Sequence, residues 1–156
     1  MTQSKTDRLP IKVRKSTVHG SGAFAARSLS AEDFVGRYAG KLYSPAEVTE
    51  RDWDHALTFV FGLSVGSVID GAQGGNATRH INHSCSPNCA AFEIETESGE
   101  LRIVIEALRP INAGEELFLD YRLDPGSDSQ EDFACHCGTS RCRGTLVSLA
   151  ASERAL

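Results

Sequence analysis

The sequence predicts a mostly β domain with a little helix. Its apolar runs are short and interrupted by glycine, which is typical of many short strands. The clearest pair is a hairpin of residues 91–96 and 101–107, joined through a turn that contains Gly99. In its second strand, apolar residues at every other position predict one buried face. A helix start is clear at one place, residues 44–47, so strands should dominate the fold.

The remaining elements are predicted in chain order from the same kinds of signal. Ser44 can cap a helix, Pro45 suits its first position, and Glu47 completes a capping box, so we expect a helix to about residue 54. Turns that contain glycine are expected at residues 66–67 and 112–114. The other predicted strands are short, and they span residues 11–15, 23–26, 34–38, 57–63, 68–70 and 116–121.

The length of 156 residues suits one domain. No apolar run approaches the roughly 20 residues that cross a bilayer, so no membrane contact is expected. The first ten residues are polar and lack the apolar stretch of a signal peptide. We therefore expect an intracellular protein, cytoplasmic or, in a eukaryote, nuclear and on chromatin. The sequence leaves the oligomeric state open.

Charge is unevenly distributed along the chain, whose formal net charge is −5. The start is basic and a later stretch is acidic, with Asp124, Asp128, Glu131 and Asp132. A negative protein is poorly suited to neutralise phosphates, so direct nucleic acid binding is not expected. The balance suits a basic partner such as a lysine-rich peptide. The alternative is that these charges only keep the surface solvated.

The five cysteines indicate a metal site rather than disulfides, because their number is odd and no secretion signal is seen. Cys135, Cys137 and Cys142 form a Cys-x-Cys-x4-Cys cluster with three thiolates, one fewer than tetrahedral zinc requires. Either Cys85 or Cys89 can supply the fourth. Either choice would tie the end of the chain to the middle of it.

Three further segments carry candidate functional residues. The Gly-x-Gly of residues 19–24 lets a backbone approach a ligand closely, although a plain β-turn is the usual explanation. Residues 74–89 are unusually polar, and Asn82 and His83 could give directed hydrogen bonds or merely satisfy a turn network. Residues 114–121 form a strand that ends in Tyr121, for which core packing is the default interpretation.

The order of these motifs resembles the SET-domain family of protein-lysine methyltransferases. His-Gly-x-Gly-x-Phe, Tyr-Ala-Gly, Arg-x-Ile-Asn-His-Ser-Cys-x-Pro-Asn, Gly-Glu-Glu-Leu-x-x-Asp-Tyr and Cys-x-Cys-x4-Cys follow one another here as in a SET domain with a post-SET zinc segment. The resemblance covers about residues 11–146. It implies a β fold of small sheets in which residues 82–85 and the strand near Tyr121 cross in a pseudoknot. It also implies transfer of a methyl group from S-adenosylmethionine to a lysine side chain of a basic protein or peptide.

The resemblance assigns roles to residues at matching motif positions. The cofactor would be lined by His19, Ser21, Gly22 and Phe24, partly through their backbones. Asn82 would hold the methionine end of the cofactor, His83 would meet its adenine side, and Tyr121 would be the catalytic tyrosine. A structural zinc ion would be bound by Cys85, Cys135, Cys137 and Cys142, which leaves Cys89 as a spare thiol.

The expected organisation follows from the same resemblance. Residues 11–122 would form the SET domain and residues 135–150 the post-SET zinc segment, with a loop between them at 123–134. Residues 1–10 and 151–156 would be tails.

Departures from the family pattern leave alternatives to an active enzyme open. Phe59 stands where many relatives have an active-site tyrosine, His80 replaces a usual phenylalanine, and Leu119 replaces an aromatic residue that often tunes the number of methyl groups. His136 lies between two cysteines and is not expected to bind metal. A degenerate domain that binds cofactor or peptide without turnover is therefore one alternative, and a zinc-held module for basic peptides or nucleic acid is another. For an active enzyme, Phe118 and Phe59 could supply the apolar wall of the lysine channel.

Overall fold

The structure, a computed structural model, describes residues 9–16, 18, 20–50, 59–121, 135 and 137–144. Within them the fold is mostly β, as predicted, and the strands form four small sheets. In chain order the strands are β1 (Ile11–Lys15), β2 (Ser21–Ala25), β3 (Phe34–Arg37), β4 (Lys41–Tyr43), β5 (Val60–Gly62), β6 (Val68–Asp70), β7 (Asn82–His83), β8 (Cys89–Glu95), β9 (Leu101–Ala107) and β10 (Phe118–Leu119). None of the helices in this described part has the length and apolarity that a bilayer crossing requires.

A two-stranded sheet carries the Gly-x-Gly segment. β1 and β2 pair antiparallel, with Lys15 opposite Ser21. Ser16 donates its backbone N–H to the carbonyl of Gly20 at 2.7 Å, which closes the turn between the strands. Gly20 has a positive φ of 48°, a conformation that glycine adopts without steric cost. β1 is largely exposed, whereas β2 is mostly buried, so this sheet covers the core from one side.

The largest sheet confirms the predicted hairpin. β8 and β9 pair antiparallel along seven residues each, and β3 joins the other edge of β9. Ile103, Ile105 and Ala107 of β9 are buried, which matches the alternation in the sequence. Gly99 takes a positive φ of 86° in the connecting turn. β8 is an edge strand of this sheet, with an edge that no other described strand pairs.

A third sheet has the order β4-β6-β5, and the predicted helix follows β4. That helix, α1, spans Pro45–Glu50, and Glu47 donates its backbone N–H to Ser44 Oγ at 3.3 Å, as expected for a cap. Residues 51–58 lie outside the described residues, and with them the predicted end of the helix near residue 54. β5 is an edge strand of this sheet, as β8 is of the largest sheet.

β7 and β10 form the pair that brings two distant motifs together. They run parallel, with Phe118 opposite Asn82 and Leu119 opposite His83. Parallel strands cannot be joined by a tight hairpin, and here β8, β9 and their turn lie between them in the sequence. The predicted strand at 116–121 is shorter than expected, because Glu116 forms an isolated bridge to Phe24 and β10 contains two residues. This crossing places Tyr121 beside the Asn-His segment.

Candidate active site and cysteine cluster

Tyr121 is fixed directly after β10 by two hydrogen bonds. Its hydroxyl donates to the carbonyl of Ile81 at 2.6 Å, and its backbone N–H donates to Nδ1 of His83 at 3.0 Å. The Tyr121 and His83 rings meet edge to face, with centroids 5.4 Å apart. Burial raises the pKa of the Tyr121 phenol above its usual range, so the hydroxyl is protonated at neutral pH. Tyr121 can therefore orient a reacting group as a neutral hydrogen-bonding partner.

A cavity of about 650 Å³ opens beside Tyr121 and has a mainly apolar lining. Tyr38 packs against Phe61 in this lining, with ring centroids 4.7 Å apart, and its hydroxyl donates to the carbonyl of Phe59 at 2.5 Å. Burial raises the pKa of Tyr38 above its usual range as well. Ile81 and Leu119 complete the wall near Tyr121.

The expected wall of Phe59 and Phe118 is not what the cavity has, since neither belongs to the lining formed by the described residues. Phe61 and Phe92 supply the aromatic surface instead. Tyr38 and Phe61 were missed by the sequence analysis as site residues. The Tyr-Ala-Gly motif at residues 38–40 was a signal for the first, whereas Phe61 depends on which face of β5 turns inward.

Two open strand edges border the same cavity. Val60 and Gly62 of β5 are among the lining residues, as are Ala90 and Phe92 of β8. Both strands are the edges of their sheets among the described residues. Edge strands present unpaired backbone N–H and C=O groups, which an extended peptide can bind. The cavity therefore lies beside two strand edges whose backbone groups no other described strand pairs.

Among the described residues, contacts link the expected cofactor residues of the Gly-x-Gly segment to those of the Asn-His segment. Asn82 donates through Nδ2 to the carbonyl of Ser21 at 3.0 Å, which ties β7 to the start of β2. Gly22 is buried, and a Cβ there would lie 3.0 Å from Cβ of Ser16 and 3.1 Å from Cδ of Glu116, so close packing favours glycine. Phe24 is partly buried. His19 lies outside the described residues.

Three polar or charged residues around this segment were not recognised from the sequence. Ser16 Oγ donates to the Glu116 carboxylate at 2.8 Å, which holds the Gly-x-Gly turn against the chain before β10. The Arg14 guanidinium lies 4.2 Å from the centroid of the Phe24 ring, as a cation–π contact. These contacts join positions that no local sequence pattern links.

His83 is buried and lies between Tyr121 and the cysteines. Burial lowers its pKa to about 4; Asp120 acts in the opposite direction and Arg143 lowers the pKa further. The imidazole is therefore neutral at physiological pH. Because Nδ1 accepts from Tyr121, the ring proton lies on Nε2, which is 3.4 Å from Cys85 Sγ. The imidazole thus connects the tyrosine to the cysteine cluster.

The thiol sulfurs of four cysteines lie within 4.8 Å of one another, and the four are Cys85, Cys135, Cys137 and Cys142. The Sγ atoms of Cys85 and Cys135 are 3.7 Å apart. A tetrahedral zinc site with Zn–S bonds of about 2.3 Å separates its sulfurs by about 3.8 Å, so the donor set fits zinc. Arg143 donates its backbone N–H to Cys85 Sγ at 3.2 Å, and such N–H···S contacts stabilise thiolates.

The fifth cysteine lies elsewhere. Cys89 begins β8 opposite Ala107 and is 1% exposed. Burial raises its pKa to about 12, as expected for a thiol in a sheet core. Cys137 differs, because hydrogen bonds that include one with the Thr139 hydroxyl lower its pKa to about 5 although burial acts to raise it. His136 lies outside the described residues.

Comparisons with known proteins place this geometry in context. A family model described as the SET domain matches residues 20–122. The "Histone-lysine N-methyltransferase, H3 lysine-4 specific" of Aspergillus oryzae is 36% identical over 149 residues, which cover 92% of this chain and 12% of that protein. The human "Histone-lysine N-methyltransferase 2B" is 38% identical over 146 residues, which cover 91% of this chain and 5% of that protein. This chain therefore spans only a small part of the length of these relatives.

A solved structure gives the same result for the fold. A chain of the humanized mutant of the Chaetomium thermophilum Polycomb Repressive Complex 2, bound to the inhibitor GSK126, is 34% identical with a TM-score of 0.62. The match covers 70% of this chain and 14% of that one. With the family match over residues 20–122 and the parallel β7–β10 pair beside Tyr121, the chain belongs to the SET-domain family.

Proposed function

We propose that this domain is a protein-lysine N-methyltransferase that transfers a methyl group from S-adenosylmethionine to a lysine of a basic protein or peptide. The observation that carries the proposal is the partly buried, protonated Tyr121 at a mainly apolar cavity of a SET domain. The names of the relatives, all of which are histone-lysine N-methyltransferases, support the reaction class. Inside the cell a histone tail is a substrate of the right chemistry, since it is basic and extended.

The cavity supplies what the lysine nucleophile needs. Free lysine has a pKa of about 10.4, so the neutral amine costs roughly 4–5 kcal/mol at pH 7, at 1.36 kcal/mol per unit. An apolar wall that includes Phe61 and Leu119 disfavours the charged ammonium by desolvation. Bound S-adenosylmethionine would supply the methyl group and, as a sulfonium, a like charge that lowers the lysine pKa further. The proton can then leave to water before transfer.

No strong base is required of the protein in this scheme. The carboxylate in the described lining is Asp120, and the Arg143 guanidinium engages both of its oxygens. Tyr121 is protonated, and its hydroxyl is held by Ile81. We assign to Tyr121 the orientation of the reacting groups, because alignment alone contributes large factors in rate.

We further propose that one structural zinc ion is held by the four clustered thiolates of Cys85, Cys135, Cys137 and Cys142. Four thiolates leave no open coordination position, so the metal would take no part in the reaction. Cys89 has no ligand role in this proposal. For the cofactor, we propose a surface formed by His19, Ser21, Gly22 and Phe24, with Asn82 at its methionine end and the His83 segment at its adenine side.

Labelled methyl transfer tests the proposed function against its main alternative. The protein is incubated with S-adenosylmethionine that carries a radiolabelled methyl group and with a pool of lysine-rich proteins. We expect radiolabel to be transferred to protein. We also expect it to resist hydrolysis, as the methyl group of N-methyl lysine does. If calorimetry detects cofactor binding but no label is transferred, the domain is the degenerate binding module. Phe59 and Leu119, which depart from the family pattern, are the residues that favour this alternative.

A further inference from the structure

An ion pair between Arg143 and Asp120 joins the cysteine-rich segment, which is Cys135 and residues 137–144, to the chain between β10 and Tyr121. The Arg143 guanidinium donates to both oxygens of Asp120, with distances of 2.9 Å and 3.0 Å. The Arg143 side chain is 13% exposed and that of Asp120 is 24% exposed, so the pair is partly shielded from water. Two parallel hydrogen bonds between planar groups fix orientation as well as distance. The contact is therefore more directional than an ordinary surface ion pair.

Each partner has a second connection, and the two connections lead to different parts of the site. Arg143 directly follows Cys142, and its backbone N–H donates to Cys85 Sγ at 3.2 Å. Asp120 directly precedes Tyr121 in the chain, so restraining the Asp120 side chain also restrains the backbone that carries the tyrosine. The side-chain pair thus bridges the cysteine cluster on one side and the tyrosine on the other.

The wider geometry explains why such a bridge matters. β10 contains two residues, so a short ladder with β7 holds the chain before Tyr121. Residues 137–144 contain no strand or helix. Cys142 donates its backbone N–H to the carbonyl of Thr139 and Cys135 donates to that of Gly144, so these bonds join the segment to itself and not to β10. Neither segment is fixed by extensive secondary structure. A directional ion pair between them restricts both at once.

We propose that the Arg143–Asp120 pair is a positioning device that fastens Cys135 and residues 137–144 to the chain that follows β10 and thereby sets the position of Tyr121. Arginine is required, because lysine keeps the charge but cannot make the bidentate contact. The catalytic consequence rests on the proposed function, whereas the fastening of the segment does not. The two parts are therefore tested by separate measurements.

Alkylation of single cysteines measures the fastening without any turnover. Cys135 is 8% exposed, so its reaction rate with a maleimide, followed by mass spectrometry, reports undocking of the segment. We expect Arg143→Lys and Asp120→Asn each to accelerate alkylation of Cys135 about ten-fold. The double variant should be no faster than either single one, because one interaction is lost in all three.

Two controls separate this effect from general destabilisation. Cys89 lies in a sheet core, and its alkylation rate in the same samples should not change. Arg141→Ala removes an exposed arginine on the other side of Cys142, and it should leave Cys135 as slow as in the wild type. Unchanged Cys135 rates in the single variants, or effects that multiply in the double variant, would overturn the proposal.

Steady-state kinetics test the consequence for Tyr121. In Arg143→Lys and Asp120→Asn we expect kcat to fall about ten-fold, with the KM for S-adenosylmethionine changed less than two-fold. Faster Cys135 alkylation with unchanged kcat would refute the positioning role. If the wild type transfers no methyl groups, the proposed function fails, and the alkylation measurement still decides whether the pair fastens the segment.

Discussion

Tyr121 is the residue on which the proposed chemistry depends most. Its hydroxyl donates to Ile81 and its backbone donates to His83, so neither the ring nor the main chain is free to turn. A phenol whose pKa is raised by burial does not act as a base near neutral pH. Its contribution should therefore be geometric and polar.

Tyr121→Phe should lower kcat by about 10²–10³, because it removes one positioned polar group, while cofactor affinity stays near the wild-type value. Quench-flow or steady-state kinetics measure kcat, and calorimetry measures cofactor affinity. Tyr43→Phe is a matched control, since the Tyr43 hydroxyl accepts from Gln73 and is not part of the cavity lining. Turnover of Tyr121→Phe equal to that of the control would remove Tyr121 from the site.

Asn82→Ala should weaken cofactor binding more than peptide binding. If Asn82 meets the charged methionine end, the lost hydrogen bonds to charge cost about 1.5–3 kcal/mol, a decrease of roughly ten- to a hundred-fold in affinity. Asn112→Ala, in an exposed turn, is the control. Calorimetry that gives the same cofactor affinity for both variants would contradict the assignment.

At the scale of elements, the parallel pairing of β7 with β10 builds the site. It places the Asn-His segment against the strand that leads to Tyr121, and it puts Cys85 close to Cys135, which lies 50 residues further along the chain, and to the other two clustered cysteines. The cysteine segment has little secondary structure of its own among the described residues. A metal ion would therefore determine how firmly that segment is held.

Zinc content should show which of Cys85 and Cys89, the two cysteines of residues 74–89, binds the metal. Cys85→Ser should lose the metal, loosen the segment and lower activity, because structural zinc contributes on the order of 10 kcal/mol to local folding. Cys89→Ser should retain about one zinc per chain, as the wild type should. Elemental analysis measures the metal, and circular dichroism checks that the β sheets of Cys85→Ser persist. Loss of zinc from Cys89→Ser but not from Cys85→Ser would show that the ligand assignment is wrong.

Local patterns in the sequence were sufficient for the elements but not for the joins between them. The alternation at 101–107 predicted the buried face of β9, and the cap at Ser44 predicted the start of α1. The hydrogen bond from Asn82 to Ser21 spans 61 positions, and that from Arg143 to Asp120 spans 23. No periodicity encodes such contacts, because they depend on which strand edges meet in the fold.

The same limit applies to the candidate site. Motif order allowed Tyr121 and the four clustered cysteines to be selected, because a family resemblance includes tertiary information that spacing lacks. The cavity wall was assigned to Phe59 and Phe118, which precede β5 and begin β10, whereas Phe61 of β5 lines the cavity. The sequence does not show which side chains of such short strands face a cavity. The Tyr-Ala-Gly motif was a signal for Tyr38, whereas Phe61 was recognised only from the folded position of β5.

The net charge of −5 is complementary to the basic substrate that we propose. Raising ionic strength from low to physiological values should raise the KM for a lysine-rich peptide, because exposed charges attract one another less when they are screened. A peptide with glutamine in place of the basic residues around the target lysine should show little of this effect. Equal salt responses for the two peptides would count against an acidic substrate face.

Lysine methylation by this domain can be measured by mass spectrometry of a lysine-containing peptide array after incubation with the protein and S-adenosylmethionine. We expect methyl-group mass increments on lysine side chains of basic peptides, with a large loss of product in Tyr121→Phe and no loss in Tyr43→Phe. Cofactor binding by the folded protein without a methylated lysine on any peptide would show that the domain is not a lysine methyltransferase.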